Sequence, residues 1–209
     1  IPEIRRKNNT LKTRGAFKKC EPLRLQFLGS IENPDRTQLY WSPLIGWNNN
    51  DKTMLGLSFH NAFVPQKKFE YVFAPMYSIG TKKPVGSGML NYSLLPNSNV
   101  IRQVTIGISG QRYHYYADDL FQQSFSRISP YVDIFFNKKN ARSPHSHQLT
   151  LRGINVGEDV SVIENGEIGT AVLYKSFGRA VYSYENQQTL NPYGATVVFE
   201  GTDDFAKIS

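Results

Sequence analysis

From residue 38 onward, apolar and polar side chains alternate along the chain with a period of two. Successive side chains of a β-strand point to opposite faces, so this alternation predicts strands with one apolar and one polar face. Clusters of Pro, Asn, Asp and Lys separate the alternating segments and are typical of turns. The predicted strands are 38–47, 53–63, 69–79, 85–95, 100–115, 126–137, 147–156, 171–185 and 193–201. We therefore expect about nine antiparallel strands that follow one another in the sheet.

Two stretches do not follow the alternation. Residues 157–170 are acidic and contain glycine, which indicates a loop or a short irregular hairpin. Asp118–Phe125 is the one place where the pattern allows a turn of helix. No stretch approaches the run of about 20 apolar residues that a membrane-spanning helix needs. The sequence predicts an all-β protein.

The length of the segments favours a membrane sheet over a soluble one. A tilted transmembrane strand needs about nine to eleven residues, whereas strands of soluble sandwiches usually run about five or six. Aromatic residues stand near the ends of the apolar faces, as in the interfacial girdles of membrane barrels. Lysines are concentrated in the turns, and a lysine on a lipid-facing surface at mid-depth costs about 2–4 kcal/mol.

We therefore predict an antiparallel up-and-down (meander) β-barrel, or part of one, that spans a membrane. The predicted lipid-facing residues are Leu39, Trp41, Ile45, Trp47, Leu55, Leu57, Phe59, Phe73, Tyr77, Val104, Ile106, Ile108, Ile134 and Phe136. The predicted lumen-facing residues are Ser58, His60, Gln103, Thr105, Ser109, Arg127, Asp133 and Arg152.

The charged residues add a further prediction only for the start of the chain. The 209 residues include 24 Lys and Arg against 17 Asp and Glu, a net charge of +7. Many of these cations lie in residues 1–21, an arm suited to nucleic acid or acidic lipid, or a solvated linker. No nucleic-acid module follows it, so we expect a linker before a barrel domain over 22–209. The expected partners are membrane lipid and other outer-membrane or surface proteins, with no nucleic acid.

The sequence carries no recognisable catalytic or metal-binding motif. His145 and His147 are two residues apart in a polar loop, whereas a zincin helix needs a spacing of four with a glutamate between. Ser58 and His60 share a strand face, but the sequence offers no acidic third partner for a hydrolase. We expect no enzyme activity in this chain, no cofactor and no metal.

Several stretches resemble a known barrel region. They are Pro22–Leu28, Gln38–Asn48, Met54–Asn61, Phe69–Gly80 and Val85–Gly88. They are similar to the C-terminal outer-membrane barrel attached to large gluzincin (aminopeptidase-N-like) metallopeptidases of Gram-negative bacteria. The resemblance covers residues 22–137 well and the remainder loosely.

This resemblance implies an outer-membrane location and a role as anchor or pore. In that family a peptidase domain precedes the barrel and holds zinc on a His-Glu-x-x-His helix. The present sequence lacks that motif, so the peptidase activity is not carried over. We also expect a piece of a longer chain, because an odd number of strands does not close an even-numbered barrel.

Two other functions stay open at this stage. A soluble β-barrel or sandwich could bind a lipid or a glycan in an aromatic-lined cavity, since soluble sheets also alternate. Exposed strand edges could instead make the chain a structural partner in a secretion or surface assembly.

Overall fold

The computed structural model describes residues 23–29, 37–61, 67–118, 121–140, 142–164 and 167–207. The predicted basic arm, residues 1–21, lies outside them. In the described residues, ten strands form a single sheet. They are β1 Leu23–Phe27, β2 Thr37–Asn48, β3 Lys52–His60, β4 Phe69–Ser78, β5 Pro84–Leu94, β6 Ile101–Ala117, β7 Gln122–Phe136, β8 His145–Glu164, β9 Glu167–Asn186 and β10 Tyr193–Lys207.

Each strand pairs with its neighbours in the sequence, in the order β1 to β10. All pairs from β2 to β10 are antiparallel, which confirms the predicted all-β meander. β1 is the exception, because it runs parallel to β2, with Leu23 opposite Thr37. Its five residues are too few to give a periodic signal, and the sequence pattern missed it.

Of the two alternatives predicted for residues 157–170, the loop is wrong, and the structure has a hairpin that is regular and long rather than short and irregular. β8 and β9 run through this stretch and pair without interruption to Glu164 opposite Glu167. Small and acidic residues hide the alternation there, but backbone pairing does not require an apolar face. The two strands therefore form the longest hairpin of the sheet, with 20 residues in each strand.

The prediction of a helical turn within Asp118–Phe125 is also wrong where the structure describes it. β7 already begins at Gln122, because Gln122 and Gln123 pair with the end of β6. Within the described residues, no helix is long and apolar enough to cross a membrane.

The burial of side chains is inverted relative to a soluble domain. Four apolar side chains in the described residues are buried, namely Tyr40, Met54, Val85 and Ala171. Eleven polar ones are buried, namely Gln38, Asp51, Ser58, Ser78, Thr81, Ser93, Thr105, His114, Ser124, Ser129 and Asn186. The described residues form no second layer that could cover the sheet. Most of the buried polar side chains can therefore be shielded from water only if the sheet curls around its polar face. We call this the concave face and the opposite one the convex face.

Candidate functional site

The convex face carries the fourteen residues that the sequence predicts as lipid-facing. The register places Trp41 opposite Phe59, and Phe59 opposite Phe73, across three strands. The fourteen are exposed or half-buried, with Ile45 at 79% and Trp47 at 69% exposure. The full set on this face is Leu39, Trp41, Ile45, Trp47, Leu55, Leu57, Phe59, Phe73, Tyr77, Val104, Ile106, Ile108, Ile134 and Phe136.

The height of this apolar band can be taken from β4. Phe69 and Tyr77 stand at its two ends, exposed at 48% and 53%, with Phe73 between them. The eight-residue interval between them corresponds to about 26 Å along the strand at about 3.3 Å per residue. The outward apolar band of a membrane barrel is about 25 Å tall, and tilt shortens the projection of a strand. The band therefore has roughly the dimension that a bilayer core requires.

The concave face carries the eight residues that the sequence predicts as lumen-facing. Thr105 stands opposite Asp133, and Arg152 opposite Tyr131. Ser58 and Thr105 are buried, Arg152 is exposed, and the other five are half-buried. The eight are Ser58, His60, Gln103, Thr105, Ser109, Arg127, Asp133 and Arg152.

Hydrogen bonds between neighbouring strands satisfy many of these polar groups. The hydroxyls of Ser42 and Ser58 lie 2.7 Å apart. Thr150 Oγ1 donates to Asp133 Oδ1 at 2.6 Å, and the hydroxyls of Ser93 and Thr105 lie 3.2 Å apart. Such pairing lets polar side chains be shielded without the penalty of unmade hydrogen bonds.

A row of side chains crosses the concave face at the level of Gly107. In register order across β5 to β10 it reads Asn91, Gly107, Tyr131, Arg152, Arg179 and Glu200. The Arg152 guanidinium lies over the Tyr131 ring, 5.5 Å from its centre. Arg179 Nε lies 3.2 Å from Glu200 Oε1. The row combines cation–π and ion-pair contacts across six strands.

Gly107 makes this row possible. The Tyr131 hydroxyl reaches over β6 and donates to Asn91 Oδ1. A Cβ at position 107 would lie 2.4 Å from Tyr131 Cζ and 2.6 Å from Asn91 Oδ1. No residue with a side chain fits under that hydrogen bond, so the glycine is required by close approach.

A second polar cluster lies where the β2–β3 and β4–β5 turns meet β6. Asp51 Oδ2 accepts hydrogen bonds from the Asn48 side chain at 2.9 Å and from the His114 backbone N–H at 3.0 Å. Asp51 Oδ1 lies 2.7 Å from His114 Nδ1 and accepts from Thr81 Oγ1 at 3.0 Å. The cluster ties the turns to a residue 63 positions further along the chain.

Asp51 is fully buried, and its environment favours the ionised carboxylate. Burial alone would raise its pKa, but hydrogen bonds from Asn48, His114 and Thr81 outweigh it and lower the pKa of Asp51. His114 Nδ1 then donates its hydrogen to the carboxylate, because an ionised carboxylate can only accept. His114 Nε2 is buried without a hydrogen-bond partner in the described residues.

The other histidines belong to ring contacts. His145 stacks on Tyr184 with ring centres 5.8 Å apart, and His147 lies 5.0 Å from the same ring. His60 packs against Tyr40 at 5.4 Å. Among the described residues, no group of three or more His, Cys, Asp or Glu side chains is placed to hold a metal ion.

Sequence reasoning missed the Asp51–His114 cluster and the row through Tyr131. Asn48 and Asp51 look like ordinary turn residues in the sequence, and Gly107 looks like a neutral strand glycine. The register pairs these residues with distant strands, and a local pattern holds no information on such pairing. The one usable signal is an Asn-x-x-Asp turn that can bond its own backbone, as Asp51 N–H does to Asn48 Oδ1 at 2.6 Å.

The comparisons with known proteins assign the chain to no family. No family model matches the sequence, and no curated protein or solved structure is similar enough to count as a match.

Proposed function

We propose that this chain is a segment of an outer-membrane β-barrel that acts as a membrane anchor or a pore and catalyses no reaction. The observation that carries the proposal is the inverted burial. Six of the eleven buried polar side chains, Gln38, Ser58, Ser78, Ser93, Thr105 and Ser129, lie on the concave face, while large apolar side chains are exposed on the convex face. The resemblance of residues 22–137 to barrels attached to gluzincin metallopeptidases points the same way.

Contact of the convex face with water is unfavourable in free energy. Removing a Leu or Ile side chain from water stabilises a protein by about 1.5–3 kcal/mol, and this face leaves Ile45, Leu55, Leu57, Ile106 and Ile108 exposed. Soluble monomers rarely expose apolar patches of more than a few hundred Å². A bilayer around the convex face removes this cost, and the concave face then forms a wet lumen.

A soluble lipid carrier fits the arrangement less well. Such a barrel encloses its ligand among apolar side chains, whereas the concave face carries Ser58, Thr105, Arg127, Asp133 and Arg152. The polar lining suits water or polar solutes. In the described residues the sheet is open, with β1 and β10 as its two edges. Closure of the sheet into a barrel is therefore part of our proposal.

Cell fractionation followed by circular dichroism tests the proposal. We expect the chain in the outer-membrane fraction and a β-rich spectrum only in detergent micelles or lipid. A monomeric chain that is β-rich in buffer without detergent would contradict it. If the chain inserts, planar-bilayer conductance then separates a pore, which conducts, from a plugged anchor, which does not.

A further inference from the structure

We propose a binding site for a phosphate group at the rim of the concave face, where β6 and β8 begin and β7 and β9 end. A cavity of about 270 Å³ lies there, lined among others by Arg102, Lys138, Ser146, Gln148 and Ser183. Its volume suits a small solute or headgroup, since drug-sized ligands occupy about 300–1,000 Å³. The site requires only the folded sheet, so it goes beyond the anchoring or pore role.

A β-bulge directs the first cation to this cavity. Ile101 pairs with Phe136 and Gln103 with Phe135, which leaves Arg102 as the extra residue of β6. Bulges interrupt the alternation of side chains and re-aim one of them, often beside a functional site. The Arg102 guanidinium lies over the Phe135 ring, 5.7 Å from its centre. The ring contact orients the planar fork of N–H donors that binds phosphate.

The remaining donors come from the neighbouring strands and the β7–β8 loop. Lys138 follows β7 and adds a second cation, while Gln148 lies opposite both Phe135 and Ser183 in the register. Ser146 and Ser183 add hydroxyl donors from β8 and β9. A tetrahedral anion needs such donors from several directions, and two of them here are charge-assisted.

The charge balance of the cavity favours an anion. Neither Arg102 nor Lys138 forms an ion pair with a carboxylate in the part of the chain that the structure describes. Glu185 is the one carboxylate among the described residues that line the cavity, and its Oε2 accepts a hydrogen bond from Gln187 at 3.2 Å. In contrast, Lys175 of the same sheet is neutralised by Glu158 at 3.0 Å. Two cations against one carboxylate leave a net positive site.

Calorimetric titration of the full chain in a non-ionic detergent tests the site, with inorganic phosphate and glycerol 3-phosphate as probes. The informative variant is Lys138→Gln, and Lys139→Gln is its matched control, because Lys139 is the exposed neighbour with the same charge. We expect Lys138→Gln to weaken phosphate binding about tenfold through loss of a charge-assisted hydrogen bond. We expect Lys139→Gln to change it less than about twofold, since its charge is screened by solvent.

Arg102→Gln provides a second variant, for which we expect a loss at least as large. Circular dichroism verifies that each variant folds. If Arg102→Gln does not fold, the comparison of Lys138→Gln with Lys139→Gln tests the proposal by itself. Absence of phosphate uptake by the unchanged chain, or equal losses in the two lysine variants, would overturn the proposal. Competition by phosphatidic acid in mixed micelles of the same detergent would identify a lipid headgroup as the source, and failure to compete would identify a soluble phosphate ester. Because the titration needs no membrane insertion, it can fail or succeed independently of the outer-membrane proposal.

Discussion

Gly107 shows at the scale of one residue how the concave face is held in shape. The Tyr131–Asn91 hydrogen bond crosses β6 directly over this glycine. The sequence predicts the strand but not this requirement, because glycine is unfavourable in strands unless a neighbour approaches closely. The reason for the glycine lies in β5 and β7, which the local sequence of β6 does not encode.

We expect Gly107→Ala to lower the free energy of unfolding by about 1–3 kcal/mol, since its Cβ would overlap Tyr131 and Asn91. Gly110→Ala is the control, because the nearest atom to its added Cβ is the Arg127 carbonyl oxygen at 3.7 Å. Urea titration in micelles or vesicles measures both. Equal effects at the two positions would contradict the packing account.

The buried carboxylate of Asp51 should make the free energy of unfolding depend on pH. Its pKa is lower in the folded chain than its ordinary value of 3.8. The carboxylate therefore contributes stability above that value and loses it as the pH falls through the folded-state pKa. We expect Asp51→Asn to cost about 2 kcal/mol near neutral pH, from weakened hydrogen bonds to a buried charge. The difference from the unchanged chain should shrink below pH 3.8 in acid unfolding curves, and a constant difference would contradict the assignment.

At the scale of the element, the alternation on β2 to β7 made the strands predictable, because each carries one apolar and one polar row. Alternation failed to predict strands where apolar and polar residues are not segregated onto opposite faces. Asp159 pairs with Val172, and Val160 with Ala171, where the sequence predicts a loop or a short irregular hairpin. β1 was missed for a different reason, since five residues give too short a pattern to detect.

Adjacent residues of β6 test the two faces directly. We expect Ile108→Lys, on the convex face, to cost about 2–4 kcal/mol of folding free energy in lipid vesicles. Ser109→Lys should cost much less, because Ser109 lies on the polar concave face, which we propose to be in contact with water. Folding titrations of the two variants give the comparison. A soluble sheet would show the reverse order, with the lysine tolerated at 108.

At the scale of the whole molecule, the sheet is predictable as an all-β meander but its closure is not. Because β2 to β10 alternate in direction, β2 and β10 run the same way. β1 occupies the outer edge of β2 and runs parallel to it, so pairing β10 with β1 would close the described sheet through a second parallel pair. Long-range contacts such as that between Asp51 and His114 could not be predicted either, because no pattern in the sequence links two positions that lie 63 residues apart.

The central claim is that the convex face contacts lipid, and the two tryptophans of the sequence report on it without any substitution. Trp41 and Trp47 both lie on this face, and Trp47 is 69% exposed. The measurement is fluorescence quenching in vesicles of brominated phospholipid, with acrylamide as the aqueous quencher. Our account predicts blue-shifted emission that bromolipid quenches strongly and acrylamide weakly. Red-shifted emission that acrylamide quenches and bromolipid does not would contradict it.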